Sequence, residues 1–237
     1  MAHSSTMEKL GSPAPDFNLK NWNPLLQQES YQLDSFKNHP SLLVAFFCNH
    51  CPYVVHIRES FVHFANEYES KGLGVVAISS NDIEAYPDDR PEKMSEDARN
   101  YSYSFPYLFD ETQEVAKAYR AACTSDFFLY DENRKLVYRG QYDSSRPKNT
   151  NLVTGEDLKN AVDALIQGNS IPENQIPSMG CNIKWKSGME PDYFAGSIYF
   201  CRIFSLEESF PAQTLIDLSA GSSLAKIAEI YLKPTYL

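Results

Sequence analysis

The chain changes its hydrophobic period several times, and those changes outline the fold. Ser41 to Phe47 (SLLVAFF) is a continuous apolar run, too short for a helix and without alternation, which predicts a strand buried on both faces. Beyond Pro52 the period becomes helical. Val54, Ile57, Phe61, Phe64, Ala65 and Tyr68 recur at three and four, with Arg58, Glu59, His63 and Glu67 between them, so an amphipathic helix is predicted to Tyr68 and to end at Lys71-Gly72. Leu73 to Ser80 (LGVVAISS) predicts a second buried strand. Strand, crossover helix and strand together make a right-handed unit with parallel strands.

The rest of the chain adds shorter pieces. Gly11 to Leu19 predicts an extended start with a short strand. Asn81 to Arg90 is a polar loop whose Asp82, Asp88 and Asp89 read as a solvated face. Pro91 suits the first position of a helix carrying Met94, Ala98 and Tyr101. Phe105 to Phe109 reads as extended, and Asp110 with Gln113 as a capping box for a helix through Arg120. Phe127 to Tyr130 and Lys135 to Gln141 flank a turn and predict a β-hairpin. Thr154 and Asp157 begin a last helix with an apolar stripe of Leu158, Ala161, Val162 and Leu165, stopped by Gly168. This order predicts an α/β sandwich, its central sheet flanked by helices and edged by an antiparallel hairpin. The domain spans 13-169, after a loose N-terminal lead over 1-12. Three prolines make 170-195 a wrapping arm, and 196-237 is an extension of unassigned role in which Leu224 to Leu232 reads as helical.

Composition narrows the chemistry. Of 237 residues, 43 % are hydrophobic and 22 % charged, which supports a folded core. The net charge of -10, from 31 acidic and 21 basic residues, argues against a broad grip on nucleic acid or on anionic lipid. No apolar stretch reaches the roughly 20 residues of a membrane span. The start of the chain does not read as a secretory signal. Five cysteines in a chain of this length do not read as a disulfide scaffold; they favour a reducing cytoplasm in which an active thiol cycles.

Two of those cysteines stand as Cys48-Asn49-His50-Cys51, between the first buried strand and the helix. Pro52 suits the first helical turn, so Cys51 falls at the N-cap, where free amides and the positive end of the helix dipole favour a thiolate. Such surroundings lower a cysteine pKa from about 8.5 to roughly 3.5–7.5, and His50 adds charge when protonated. Cys51 is therefore the expected nucleophile. Cys48 is three residues away and is the expected resolving thiol, with two buried inert thiols as the bland alternative. Cys123, followed by Thr124 just before the hairpin, reads as core filler or as an alternative resolving thiol. Cys181, between Gly180 and Asn182 in the arm, reads as inert, with a swing into the site as the alternative. Cys201 receives no role. His39, His56 and His63 read as solvated, and Arg58 as facing away from the thiol. A metal held by Cys48, Cys51 and a histidine lacks a second C-x-x-C or an H-x₃₋₅-H to complete it, so no metal is expected. With neither a glycine-rich phosphate loop nor a G-x-S-x-G elbow, no cofactor is expected.

The segments APDFNL, LLVAFFCNHCPYV, GVVAISSND, YLFDETQEVAKAY and TSDFFLYDENRKLVYRGQYD, with the arm motif GCNIKWK, resemble the thioredoxin-fold alkyl hydroperoxide reductase/thiol-specific antioxidant group, in its peroxiredoxin-like branch of thioredoxin family proteins. The likeness covers about residues 10-194. It implies a thioredoxin-like three-layer α/β/α sandwich with a mixed central sheet. It also implies that Cys51-Pro52 matches the peroxide-attacking cysteine and its proline. Cys48 stands where those enzymes carry threonine. In the membrane-anchored reductases of the superfamily the first cysteine of C-P-x-C also falls on Cys51, and the second on Val54. The family's cis-proline, which commonly follows threonine, falls on Ser125 here. A cis bond before serine costs about 2.5–4 kcal/mol, so a trans bond is expected, and substrate docking at that loop with it is in doubt.

The expected activity is a thiol-dependent oxidoreductase using a small peroxide or disulfide substrate and a dithiol reductant such as a thioredoxin. Neither a nucleic acid nor a membrane partner is expected, and an oligomer is compatible with the sequence. Two alternatives remain: a thiol-disulfide reductase acting on protein disulfides, and a redox-inert or metal-binding module on the same scaffold.

Overall fold

The computed structural model describes residues 2–194, which lie within one compact unit, Met1–Phe194. The extension 196-237, its expected helix over Leu224 to Leu232 and Cys201 lie outside the described residues. In chain order the strands and α-helices are β1 (Ala2–Ser4), β2 (Asn18–Asn21), β3 (Ser30–Gln32), β4 (Ser41–Phe46), α1 (Pro52–Glu69), β5 (Leu73–Ser79), α2 (Pro91–Asn100), β6 (Tyr107–Phe109), α3 (Glu114–Ala118), β7 (Cys123–Thr124), β8 (Asp126–Tyr130), β9 (Leu136–Gly140), α4 (Glu156–Ile166) and β10 (Met179–Asn182).

A mixed sheet of seven strands runs in the order β3-β2-β6-β5-β4-β8-β9. Strands β4, β5 and β6 are parallel, and β4 pairs antiparallel with β8, which continues into the hairpin with β9. Alternation along the central strands separates two apolar layers. Leu43, Ala45, Val75, Ala77, Phe127 and Leu129 face α1, α2 and α4, while Leu42, Val44, Phe46, Val76, Ile78 and Phe128 face α3 and the segments around Phe17, Phe36 and Trp185. Helices thus cover both faces, giving the thioredoxin-like three-layer arrangement. Phe61 of α1 is wholly buried against Phe47, Phe105 and Phe127. Truncating it to Ala costs about 3–5 kcal/mol.

Several local readings change in three dimensions. The lead expected to be loose carries β1, and the arm carries β10; with β7 they form a second sheet, ordered β1-β10-β7 and antiparallel throughout. Neither segment has enough apolar residues to announce a strand, and each is fixed by the other. The expected capping box is not formed. The N-cap Gln113 is left-handed, at φ 65°, and donates instead to the carbonyls of Ser80 and Lys184, while Asp110 accepts from the Ala116 amide. The Thr124-Ser125 bond is cis, against the expected trans. The local preference is overridden by pairing on both sides: Thr124 is held opposite Cys181 in one sheet and Asp126 opposite Phe46 in the other, so the chain changes sheets within one residue.

Candidate active site

The parallel strand β4 and the first turn of α1 place the C-x-x-C at the carboxyl end of the sheet, the usual location for a site in an open α/β sheet. Phe47 extends the ladder by donating its amide to the Ile78 carbonyl at 2.9 Å, and Cys48 follows directly. Cys51 is the N-cap of α1, with extended backbone (φ -63°, ψ 122°), and Pro52 opens the helix. The Cys51 carbonyl accepts the helix's first hydrogen bond, from Val55 at 2.9 Å.

A buried carboxylate shapes the loop between the two cysteines. Asp89, 0 % exposed, accepts from the Asn49 amide at 2.8 Å and from the Asn81 side chain at 2.7 Å, and pairs with Nδ1 of His50 at 2.7 Å. This hydrogen-bonded ion pair raises the His50 pKa against the opposing effect of burial. The His50 ring stacks on Tyr86, with centroids 5.8 Å apart and planes 3° from parallel. Asn49 is further held by Tyr107, whose hydroxyl donates to its side-chain oxygen at 2.8 Å, and by Arg58, which donates to its carbonyl. One expectation is corrected here. Asp89 is not part of a solvated acidic face, because the loop folds under the C-x-x-C and spends its carboxylate on the amides there. Arg58 is buried, pairs with Asp97 at 2.9 Å, lies over Tyr101 and braces the loop between the cysteines through the Asn49 carbonyl.

Three thiols converge with Thr124. The Cys51 thiol, when protonated, donates to the Thr124 carbonyl at 3.2 Å, and the Cys48 sulfur lies 3.5 Å from the Thr124 hydroxyl. Cys181 sits on β10 directly opposite Thr124. The Cys51 pKa is driven down. The thiol of Cys181 contributes most, the thiol of Cys48 next, and the Thr124 hydroxyl and the Val54 amide add less; burial opposes them. The amide at the helix start, expected to dominate, contributes least among these favourable effects. Those thiols move the other way: burial pushes Cys48 up, and the hydrogen bond to Cys51 pushes Cys181 up. Cys123 is wholly buried, its thiol raised by burial, and it is not among the donors to Cys51.

The structure therefore gathers Cys51, Cys48, His50 and Thr124 into one site, with Cys123 beside them in β7. It adds Cys181, which sequence reasoning left in the arm as inert. No local pattern marks Cys181; its place depends on which residue β10 sets against β7. His56 is half-buried with a ring nitrogen 3.1 Å from the Ser145 hydroxyl, His39 packs against Phe36, and His63 is exposed, so none of them joins the site. Donor atoms of Cys48, His50 and Asp89 lie within 4.8 Å of one another, a spacing that could hold a metal ion. The fit is poor, since the Asp89 oxygens are already engaged by His50, Asn49 and Asn81.

A thioredoxin fold with a C-x-x-C at the head of α1 defines the class as a thiol-dependent oxidoreductase. Residues 9–155 match the Redoxin family, and the chain belongs to it. A search of curated proteins finds no match. Among solved structures, the chain is 50 % identical to a hypothetical protein of Sinorhizobium meliloti 1021, covering 78 % of this chain and 99 % of that one at a TM-score of 0.75. It is 49 % identical to an uncharacterized conserved protein of Geobacillus kaustophilus, covering 79 % and 98 % at a TM-score of 0.76. The thioredoxin domain of a thiol-disulfide oxidoreductase of Bacteroides vulgatus shares the fold at 20 % identity, covering 67 % and 98 % at a TM-score of 0.50.

Proposed function

We propose that the protein is a peroxiredoxin-like thiol peroxidase in which Cys51 attacks peroxide and Cys48 resolves the product. The Cys51 thiolate displaces one peroxide oxygen, leaving a sulfenic acid and releasing water or an alcohol. The Cys48 thiol then attacks that sulfur, water leaves, and a Cys48–Cys51 disulfide forms. An external dithiol, such as a thioredoxin, returns both to thiols. A reducing, cytoplasmic setting supplies such a dithiol.

The observation that carries this reading is the position of one sulfur: Cys51 is the N-cap of α1 ahead of Pro52, 3.2 Å from the Thr124 carbonyl, and Thr124 also touches Cys48 and stands opposite Cys181. That sulfur belongs to a residue 0 % exposed. Its seclusion favours a peroxide, which is about the size of two waters, over the bulky disulfide of a protein partner. Mass spectrometry after one equivalent of hydrogen peroxide tests it. The expected result is a Cys48–Cys51 link, with loss of peroxide turnover in Cys51→Ser. Retention of turnover in that variant excludes Cys51 as the nucleophile, and disulfide reduction without peroxide turnover in the native protein assigns it to the reductases instead.

A further inference from the structure

The proposed cycle ends on a disulfide that a reductant has difficulty reaching. Cys48 is 1 % exposed and Cys51 0 % exposed. Thiol–disulfide exchange needs an attacking thiolate to approach one of the two sulfurs directly. Of the four described cysteines only Cys181 is open to solvent, being half-buried on β10. It is also held against the buried pair. β10 sets Cys181 opposite Thr124, the residue that touches both Cys48 and Cys51. The contact is close enough that a Cβ on the preceding Gly180 would lie 1.8 Å from the Thr124 carbonyl oxygen.

Resting on the peroxidase reading above, we infer that Cys181 is the exchange thiol of this site: it takes over the disulfide from the buried Cys48–Cys51 pair and presents it to the external dithiol. Cys181, as thiolate, attacks the Cys51 sulfur. A Cys51–Cys181 bond forms, the Cys48–Cys51 bond breaks, and Cys48 leaves as a thiolate that takes up the proton Cys181 gave up. Nothing is oxidised or reduced in that step; the disulfide only changes partners. A thiolate of the external dithiol then attacks the Cys181 sulfur and expels Cys51 as its thiolate. The second thiol of the reductant resolves the mixed disulfide and returns Cys181 as a thiol.

The site also orders these events. Before oxidation the Cys51 thiolate is what chiefly raises the Cys181 thiol, holding it as a donor. Once Cys51 is in a disulfide that charge is gone, while Lys184 still acts to lower Cys181. The Cys181 thiol is therefore easier to ionise once there is a disulfide to exchange, with burial still opposing.

The test uses the full-length protein, Cys181→Ser and Cys181→Ala, each oxidised with one equivalent of hydrogen peroxide or, separately, with diamide, then mixed with reduced thioredoxin and mapped by acid quench and mass spectrometry. The expected native result is a Cys48–Cys51 link giving way to Cys51–Cys181. Both variants should take up peroxide more slowly at neutral pH, because Cys51 loses a donor, but once oxidised should accumulate Cys48–Cys51, with reduction by thioredoxin slowed by at least about 10-fold relative to the equally oxidised native protein. Reduction of the variants at the native rate, or Cys181 remaining a free thiol throughout, overturns the inference. A Cys51 left unoxidised by peroxide overturns the peroxidase reading instead, and the diamide arm then still decides whether Cys181 takes over the bridge.

Discussion

The carboxylate of Asp89 stands 2.7 Å from Nδ1 of His50 and 2.8 Å from the backbone amide of Asn49, so one buried side chain holds both residues between Cys48 and Cys51. The loop is consequently fixed from beneath by a residue about forty positions further along the chain.

That pairing makes Asp89→Asn informative. The His50 pKa is raised by the Asp89 carboxylate, so this contribution to stability is full below the unfolded value of about 6.5 and is lost as pH rises through the folded value. In Asp89→Asn the His50 titration followed by NMR should move down, and stability at pH 6 should fall by about 1–3 kcal/mol. An unmoved titration contradicts the assignment.

The ionisation of Cys51 can be divided among its donors by substitution. Cys181 contributes most and Cys48 next. The midpoint of the pH–rate profile for alkylation of Cys51 should rise in Cys181→Ala and, by less, in Cys48→Ala. Equal midpoints in all three proteins would return the main role to the helix amides.

Asp126 adds a separate pH signature. It is 0 % exposed, and burial pushes its pKa up to about 7. Between the unfolded value of about 3.9 and that figure the native state holds more protons than the unfolded one, so this carboxyl makes stability fall as pH rises. The loss is on the order of 4 kcal/mol and is complete above the folded value. Urea midpoints at pH 5 and pH 8 should differ less in Asp126→Asn than in the native protein.

Gly180 is held by proximity. A Cβ there would meet the Thr124 carbonyl oxygen at 1.8 Å, and neither backbone can yield without breaking the β7–β10 pairing. Gly180→Ala should destabilise by about 1–3 kcal/mol. It should also slow alkylation of Cys51 at neutral pH, because Cys181 moves with its strand. A thermal melt and the same alkylation assay check both effects.

Much of this protein is readable residue by residue. The apolar run Ser41–Phe46, the 3.6-residue period of Pro52–Glu69 and the second run Leu73–Ser79 specify a strand, a helix and a strand because burial repeats at the period of each element. Pro52 fixes where α1 begins, and with it the position of Cys51. What tertiary structure alone decided is which distant groups meet that sulfur. Asp89 looks like one of three loop acids until the loop folds beneath the C-x-x-C, and Cys181 looks inert until β10 pairs with β7. Strand register and loop packing are set by contacts between segments far apart in the chain, and those contacts leave no period in either segment.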